Sequence, residues 1–382
     1  MQNKSIIMKA YRYAIWRFIE MKYDRVYNFS AGPSMLPLSV LEKASAEMMN
    51  YNGSGMSITE MSHRSKTYDA VICNAVDAVR RVMNVPENYS ILFLQGGASG
   101  QFAGVPMNLM TGSNSADFVV TGQFSGKAAE EAAKYGKANI AATSKPANFT
   151  YIPAQEDLVL SPDADYVHIC YNNTIYGSKW NYIPETGNVP LVADMSSCIM
   201  SEPVDVSRFG LIYAGAQKNL APAGVTIVIV RNDLMGKAMP ITPAVLDYAI
   251  QAKNNSMYNT PPCFPIYMIG LVLDYIESEG GLEAMKERNE SKAKLLYDYI
   301  DASELFSNPV RPDCRSVMNA TFVTGNAELD DRFCKEAAAA GLVSIKGHRS
   351  VGGMRASIYN AMPREGVEAL VSFMEKFEKN NK

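Results

Sequence analysis

Two stretches of this chain, Leu211-Ile212-Tyr213-Ala214 and Val225-Thr226-Ile227-Val228-Ile229-Val230, are apolar at almost every position and short. A strand with one wet face alternates apolar and polar residues; an unbroken apolar run must be covered on both sides. Similar runs stand at 90–94, 117–120, 166–170 and 189–193, the last ending in Asp194. Helical patterns fall between them. Residues 37–50 put Leu41, Ala44 and Met48 on one face, with Asn52-Gly53 as a stop, and residues 67–83 turn Val71, Ile72, Ala75, Val79 and Val82 inward before Val85-Pro86. Residues 99–110 and an alanine-rich 125–135 capped by Gly136 continue the alternation. Short apolar strands alternating with helices predict an α/β fold, with a mostly parallel central sheet covered by helices.

Two long helices are expected at 264–279 and 282–301. They lead into a smaller α+β unit with strands at 317–323 and 354–359 and helices at 327–340 and 363–377. The expected division is an N-terminal segment at 21–36, a large ligand-binding domain at 37–280 and a small C-terminal domain at 281–382.

At 382 residues the chain is long enough for such an arrangement. Its net charge of −3 argues against nucleic acid as a partner, and no apolar stretch approaches the ~20 residues of a membrane-spanning helix. Six cysteines without a C-x-x-C pair and only three histidines speak against a metal site and for a reducing, cytoplasmic compartment. Residues 1–20 carry Lys4, Lys9, Arg12 and Arg17 with no acid before Glu20, and Ile6, Ala10, Tyr13 or Ala14, and Phe18 at helical spacing. This leader reads either as a targeting segment or as a translation start placed ahead of Met21, and it is left out of the fold expectation.

Chemistry concentrates at a few places. Lys218 lies in Gly215-Ala216-Gln217-Lys218-Asn219 between two apolar strands, where partial desolvation lowers an amine's pKa and makes it a nucleophile toward carbonyls. Asp194 closes a neighbouring strand. A lysine for an aldehyde and an aspartate for a ring nitrogen suit pyridoxal phosphate; the alternative is an ordinary loop lysine. Gly96-Gly97-Ala98-Ser99-Gly100-Gln101-Phe102 follows a strand and opens a helix, so its free N–H groups suit a phosphate, or simply form a tight turn. Phe124 after the next strand offers either a stacking surface or plain core. Ser62-His63-Arg64, and His348-Arg349 with Arg355 around Gly352-Gly353, offer guanidinium groups for carboxylates or phosphates, or exposed charges. Asn259-Thr260-Pro261-Pro262 is a polar turn able to present N–H and hydroxyl groups.

From Asn28-Phe29-Ser30-Ala31-Gly32-Pro33 onward these segments, with Asp205-Val206-Ser207-Arg208-Phe209-Gly210 and the stretch from Gly347 to Pro363, resemble the phosphoserine aminotransferases, a fold-type I, class-V pyridoxal-phosphate family. The resemblance implies a homodimer with active sites shared between subunits. It implies amino transfer from glutamate to 3-phosphohydroxypyruvate, giving O-phosphoserine and 2-oxoglutarate, with a further role in pyridoxine biosynthesis in many bacteria. By position, Lys218 would hold the cofactor covalently and Asp194 would pair with its ring nitrogen. Ala98, Ser99 and Gln217 would hold its phosphate, Phe124 would stack on its ring, and Thr174 would bond its phenolic oxygen. Asn259 and Thr260 would reach the phosphate from the other subunit. Arg64 and Arg355 would take substrate carboxylates, and His63, His348 and Arg349 the substrate phosphate.

The chain departs from many relatives in having Phe124 for a tryptophan and from some in having Ser99 for an arginine. Stacking then covers a smaller area, and the phosphate contact at 99 rests on backbone. Two rival readings remain: a cysteine desulfurase of the same fold, which needs a nucleophilic cysteine on a mobile loop, and a non-catalytic binder of a phosphorylated metabolite.

Overall fold

The computed structural model describes residues 22–381; the leader expected at 1–20 lies outside them. In chain order the elements are β1 (Tyr27–Asn28), α1 (Leu38–Glu47), α2 (Lys66–Val82), β2 (Tyr89–Leu94), α3 (Gly97–Leu109), β3 (Ser115–Val120), α4 (Gln123–Ala132), β4 (Lys137–Thr143), β5 (Val167–Cys170), β6 (Leu191–Asp194), β7 (Leu211–Gly215) and β8 (Thr226–Arg231). After them come α5 (Tyr248–Lys253), α6 (Cys263–Ser278), α7 (Gly281–Ala302), β9 (Asn319–Phe322), α8 (Ala327–Ala339), β10 (Leu342–Val343), β11 (Met354–Ser357) and α9 (Arg364–Lys379). Among the described residues no helix is long and apolar enough to cross a membrane.

The central sheet has seven strands in the order β2-β8-β7-β6-β5-β3-β4. Every pairing from β7 across to β4 is parallel, and β8 runs antiparallel to both its neighbours. The reason is local. Residues 216–225 join β7 to its adjacent strand directly, whereas a parallel return needs a crossover of a dozen or more residues. This reversal leaves the Lys218 loop at the carboxyl end of β7, level with the carboxyl ends of β2, β3, β5 and β6, where open α/β sheets bind ligands.

Both faces of the sheet are dry. Ile227 and Ile229 of β8 enter a core shared with α2 and α6, while Val228 and Val230 enter one on the opposite face with α3 and α4. Each such side chain contributes roughly 1.5–3 kcal/mol when fully buried. A third cluster gathers Phe322 and Phe333 with Leu370, Met374 and Phe377 of α9, and draws in Phe29 and Met35 from the N-terminal segment. Parallel pairing of β1 with β10 ties that segment in place, and β9 pairs antiparallel with β11. Helix α7 spans two clusters: Leu282 and Met285 belong with the sheet core, Leu296 and Ile300 with the third.

The seam between the cores is polar. The Asn172 amide donates to Ser197 Oγ at 2.8 Å and to Asn319 Oδ1 at 2.9 Å, and accepts from Ser316 Oγ at 2.6 Å. Asn319 in turn donates to Ser357 Oγ at 2.9 Å and the Tyr359 hydroxyl at 3.1 Å.

Some local expectations shift. α1 buries Val40 and Ala44 fully, Leu41 packs half-buried against the sheet core, and Met48 falls at the helix's C-cap. α3 and α4 each begin two residues earlier than the pattern suggested, drawing Gly97, Ala98, Gln123 and Phe124 into helix. β4 was not expected; it is an edge strand, and its Ile140 stays exposed.

Candidate functional site

The carboxyl ends of the parallel strands bring five of the expected residues together. Asp194 is the last residue of β6 and 4% exposed. Lys218 follows β7, Thr174 follows β5, and Phe124 lies in the first turn of α4 after β3. Arg355 reaches in from β11.

Lys218 Nζ donates to Thr174 Oγ1 at 2.7 Å and stands 5.5 Å from the centre of the Phe124 ring. Its hydrogen-bond partner is a neutral hydroxyl rather than a carboxylate. Burial pushes the ammonium below the ordinary lysine range, and nearby Asp194 opposes that only in part. The loop holding Lys218 is pinned from the N-terminal segment: Ser34 N donates to Gln217 O at 3.1 Å, and the Ser34 hydroxyl donates to Lys218 O. A Cβ on Gly32 would stand 3.0 Å from Lys218 Cγ at φ +138°, so this close approach demands glycine.

Asp194 accepts Ser196 N–H at 2.9 Å, and Ser196 Oγ accepts Gly215 N–H at 3.0 Å. Ser196 thereby fixes the carboxylate relative to the end of β7. Sequence reading missed this serine, although Asp-x-Ser is the local signature of a side chain bonding its own backbone two residues on. Burial raises the Asp194 carboxyl above its usual range, while the charge of Lys218 and the Ser196 bonds pull it back down.

Ala98 and Ser99 lie in the first turn of α3, where the helix opens on Gly96 at φ +93° and Gly97 at φ +64°. The first N–H groups of a helix have no intrahelical partners, so this helix start suits an anion. Gln217 precedes Lys218 in the same turn.

Arg355 Nη1 donates to Thr174 O at 3.2 Å, while its Nε is buried with no partner among the described residues. A guanidinium edge left unpaired indoors is costly unless an anion completes it. His348 hydrogen-bonds Ser350 Oγ through Nδ1 at 2.7 Å; burial, then the charges of Arg355, Arg349 and Lys127, hold its imidazole below the usual range.

Four expected residues stand apart. His63 and Arg64 line a cavity of about 290 Å³ with Ser65, Lys66, Asp69 and Met257. Asn259 accepts from Gln251 Nε2 at 3.2 Å, and Thr260 O accepts from Gln95 Nε2 at 3.0 Å. Among the described residues, none of their hydrogen bonds reaches Lys218, Asp194 or Thr174.

The residues present fit pyridoxal phosphate. A buried carboxylate suits a protonated ring nitrogen, a helix start suits the phosphate, and an amine without a carboxylate hydrogen-bond partner suits the aldehyde.

Comparison with known proteins agrees with that fit. Residues 26–370 match the family profile Aminotransferase class-V. The phosphoserine aminotransferase of Bacillus thuringiensis subsp. konkukian is 54% identical over 359 residues, 94% of this chain and 100% of that protein. The enzyme of the same name from Pseudomonas aeruginosa is 51% identical, over 94% of this chain and 99% of that protein. Among solved structures, phosphoserine aminotransferase from Bacillus circulans subsp. alkalophilus superposes with a TM-score of 0.92 at 48% identity, covering 94% of this chain and 100% of that one. The pyridoxal-phosphate-bound phosphoserine aminotransferase of Trichomonas vaginalis gives 0.89 at 42% identity, over 92% and 100%. The fold is thus shared with these proteins along nearly its whole length: the chain belongs to the class-V aminotransferases and, within them, to the phosphoserine aminotransferase family.

Proposed function

We propose that the chain moves the amino group of glutamate onto 3-phosphohydroxypyruvate, giving O-phosphoserine and 2-oxoglutarate, with Lys218 and Asp194 as the catalytic pair. The observation that carries the assignment of roles is the placement of Lys218 Nζ 2.7 Å from Thr174 Oγ1, over Phe124 and within the electrostatic reach of Asp194. When bound, pyridoxal phosphate supplies an aldehyde for amines and a ring into which negative charge spreads. Lys218 would anchor it covalently through Nζ. Held below the ordinary lysine range by burial, Nζ would serve as the base that takes the donor's Cα proton and as the acid that returns it. Asp194 would keep a proton on the ring nitrogen, Phe124 would offer a stacking face, and the Thr174 hydroxyl would offer a hydrogen bond to the phenolic oxygen. Ala98, Ser99 and Gln217 hold the cofactor phosphate.

Arg355 binds the substrate carboxylate through its unpaired edge. His348 and Arg349 receive the substrate phosphate, whose negative charge raises the imidazole from its lowered range and strengthens its grip. In this reading the protein works as a homodimer in the cytoplasm. His63, Arg64, Asn259 and Thr260, whose hydrogen bonds do not reach Lys218 in their own chain, act across the interface on the partner's site. The unit at 37–280 carries the cofactor, and the one at 281–382, joined by the segment at 21–36, carries Arg355 and the phosphate-binding loop.

The cysteines weigh against desulfurase chemistry. All six are buried or half-buried, and burial raises the thiols of Cys170, Cys198, Cys263, Cys314 and Cys334, the opposite of an activated nucleophile. A glutamate-coupled assay comparing phosphorylated with unphosphorylated hydroxypyruvate tests the proposal. Strong preference for the phosphorylated acid is expected; sulfide release from cysteine without transamination, or no turnover with a bound phospho-metabolite, overturns it.

A further inference from the structure

Lys292 is 1% exposed, in the middle of α7. Its Nζ donates to three backbone carbonyls, Ile358 O at 3.1 Å, Tyr359 O at 2.9 Å and Met362 O at 2.9 Å. No carboxylate is among those partners. Burial, helped by the like charge of Arg288 one turn earlier, brings its ammonium down to about 7. A lysine placed so at such cost needs a reason beyond filling space, which an apolar chain would do better.

The three carbonyls belong to one strap, residues 358–362, running from β11 to α9. One of the strap's backbone N–H groups reaches the catalytic loop. Asn360 N donates to Asn219 Oδ1 at 3.1 Å, and Asn219 is the residue after Lys218. The Asn360 amide donates to Met200 O at 2.8 Å and accepts from Asn289 Nδ2 at 2.8 Å. Asn289 and Lys292 are three apart on α7 and share a face, so one helix grips the strap twice. The Tyr359 hydroxyl donates to Ala31 O at 2.8 Å, beside the Gly32 that packs against Lys218 Cγ. Arg355 lies three residues upstream of the strap on β11.

We propose that Lys292 is a positioning residue for the reaction: by holding the 358–362 strap to α7 it fixes the back of the Lys218 loop through Asn360 and Asn219, and the Ala31–Gly32 backbone through Tyr359. The proposal rests on Lys218 being the cofactor-bearing lysine. It explains why the grip is a lysine, since one nitrogen with three N–H donors as ammonium, and still two as amine, meets carbonyls converging at a bend where a single hydroxyl does not.

The test uses the holoenzyme and the variants Lys292→Met, which keeps the stem and removes the donors, and Lys292→Gln, which restores two of them. Far-UV circular dichroism reports folding, steady-state kinetics report kcat and KM for glutamate, and a pH titration of the cofactor's visible absorption reports the environment of Lys218. A displacement of about 1 Å at the catalytic amine costs ~10²-fold in rate. Folded Lys292→Met is expected to lose ~10- to 100-fold in kcat with a smaller change in KM, and to move the spectral midpoint by ~0.5 pH unit or more, with Lys292→Gln falling between it and the parent. A folded Lys292→Met with parental kcat and midpoint overturns the proposal, as does a kcat loss that follows the unfolded fraction while the midpoint stays parental. Should that variant not fold, Asn219→Ala, which removes the acceptor of the Asn360 N–H, carries the same readout, and a parental midpoint there overturns it equally. A parent without any pH-dependent visible band defeats the Lys218 reading itself; a parental band with unmoved variants defeats only the role of Lys292.

Discussion

In β8, Ile227 to Val230 are fully buried and carry no polar side-chain atom; at the seam between the cores the equally buried side chains are Asn172, Ser197, Asn319, Ser357, Asn360 and Lys292. Non-directional burial supplies the cohesion of the sheet, and its side chains adjust to neighbours of similar volume. The seam is held by directional bonds, each of which leaves a costly unpaired group when broken. Both regions border the site, with different duties. The sheet presents strand ends, while the seam sets how Arg355, the Ala31–Gly32 backbone and the Lys218 loop meet.

The comparison is broken most severely at the site itself. Lys218→Ala is expected to lower kcat by ~10³-fold or more and abolish the cofactor's covalent attachment, with an unchanged melting temperature; turnover and absorption spectra check it. Asp194→Ala comes next, with ~10²-fold or more lost in kcat and cofactor held more weakly, measured by rate and by dialysis against buffer. At the seam, Asn319→Ala leaves one N–H of the Asn172 amide unpaired and should cost about 1–3 kcal/mol in urea denaturation together with a fall in kcat, because the seam loses a fixing bond.

The protonation of Lys292 sharpens the contrast. With the folded chain releasing its proton near pH 7 and an ordinary lysine holding it to about 10.5, unfolding between those values takes up a proton, so stability from this group rises with pH. The parent's melting temperature relative to Lys292→Met should therefore climb from pH 6.5 to 8.5; a flat difference shows that the group titrates elsewhere. The smallest effect belongs to the sheet. Ile229→Val should cost ~0.5–1.5 kcal/mol and leave kcat unchanged, and a matching loss of activity there would erase the distinction between the two regions.

That distinction also governs what the amino-acid sequence makes legible. Continuous apolar runs announce strands such as β7 and β8, and a lysine between them is conspicuous because hydrophobic neighbours make it anomalous. The edge strand β4 escapes because Lys-Ala-Asn-Ile-Ala-Ala-Thr has neither an unbroken apolar run nor clean alternation, its outer side being solvent. Lys292 escapes for the opposite reason. In Lys-Glu-Arg-Asn-Glu-Ser-Lys it reads as one more charge on a wet helix face, and only the strap packed against α7 gives it a buried partner. Asn219 and Asn360, 141 residues apart in the chain, carry no signal of their contact in either neighbourhood. The family motifs, by contrast, name Lys218, Asp194 and Arg355 directly, because chemistry restricts residue type where packing restricts only volume and polarity.

Borohydride reduction of the holoenzyme, followed by digestion and mass-spectrometric mapping, tests the central assignment most directly. The cofactor adduct is predicted on the peptide containing Lys218 and on no other. An adduct on Lys292, a second buried lysine with a lowered pKa, or the absence of any adduct, would contradict it.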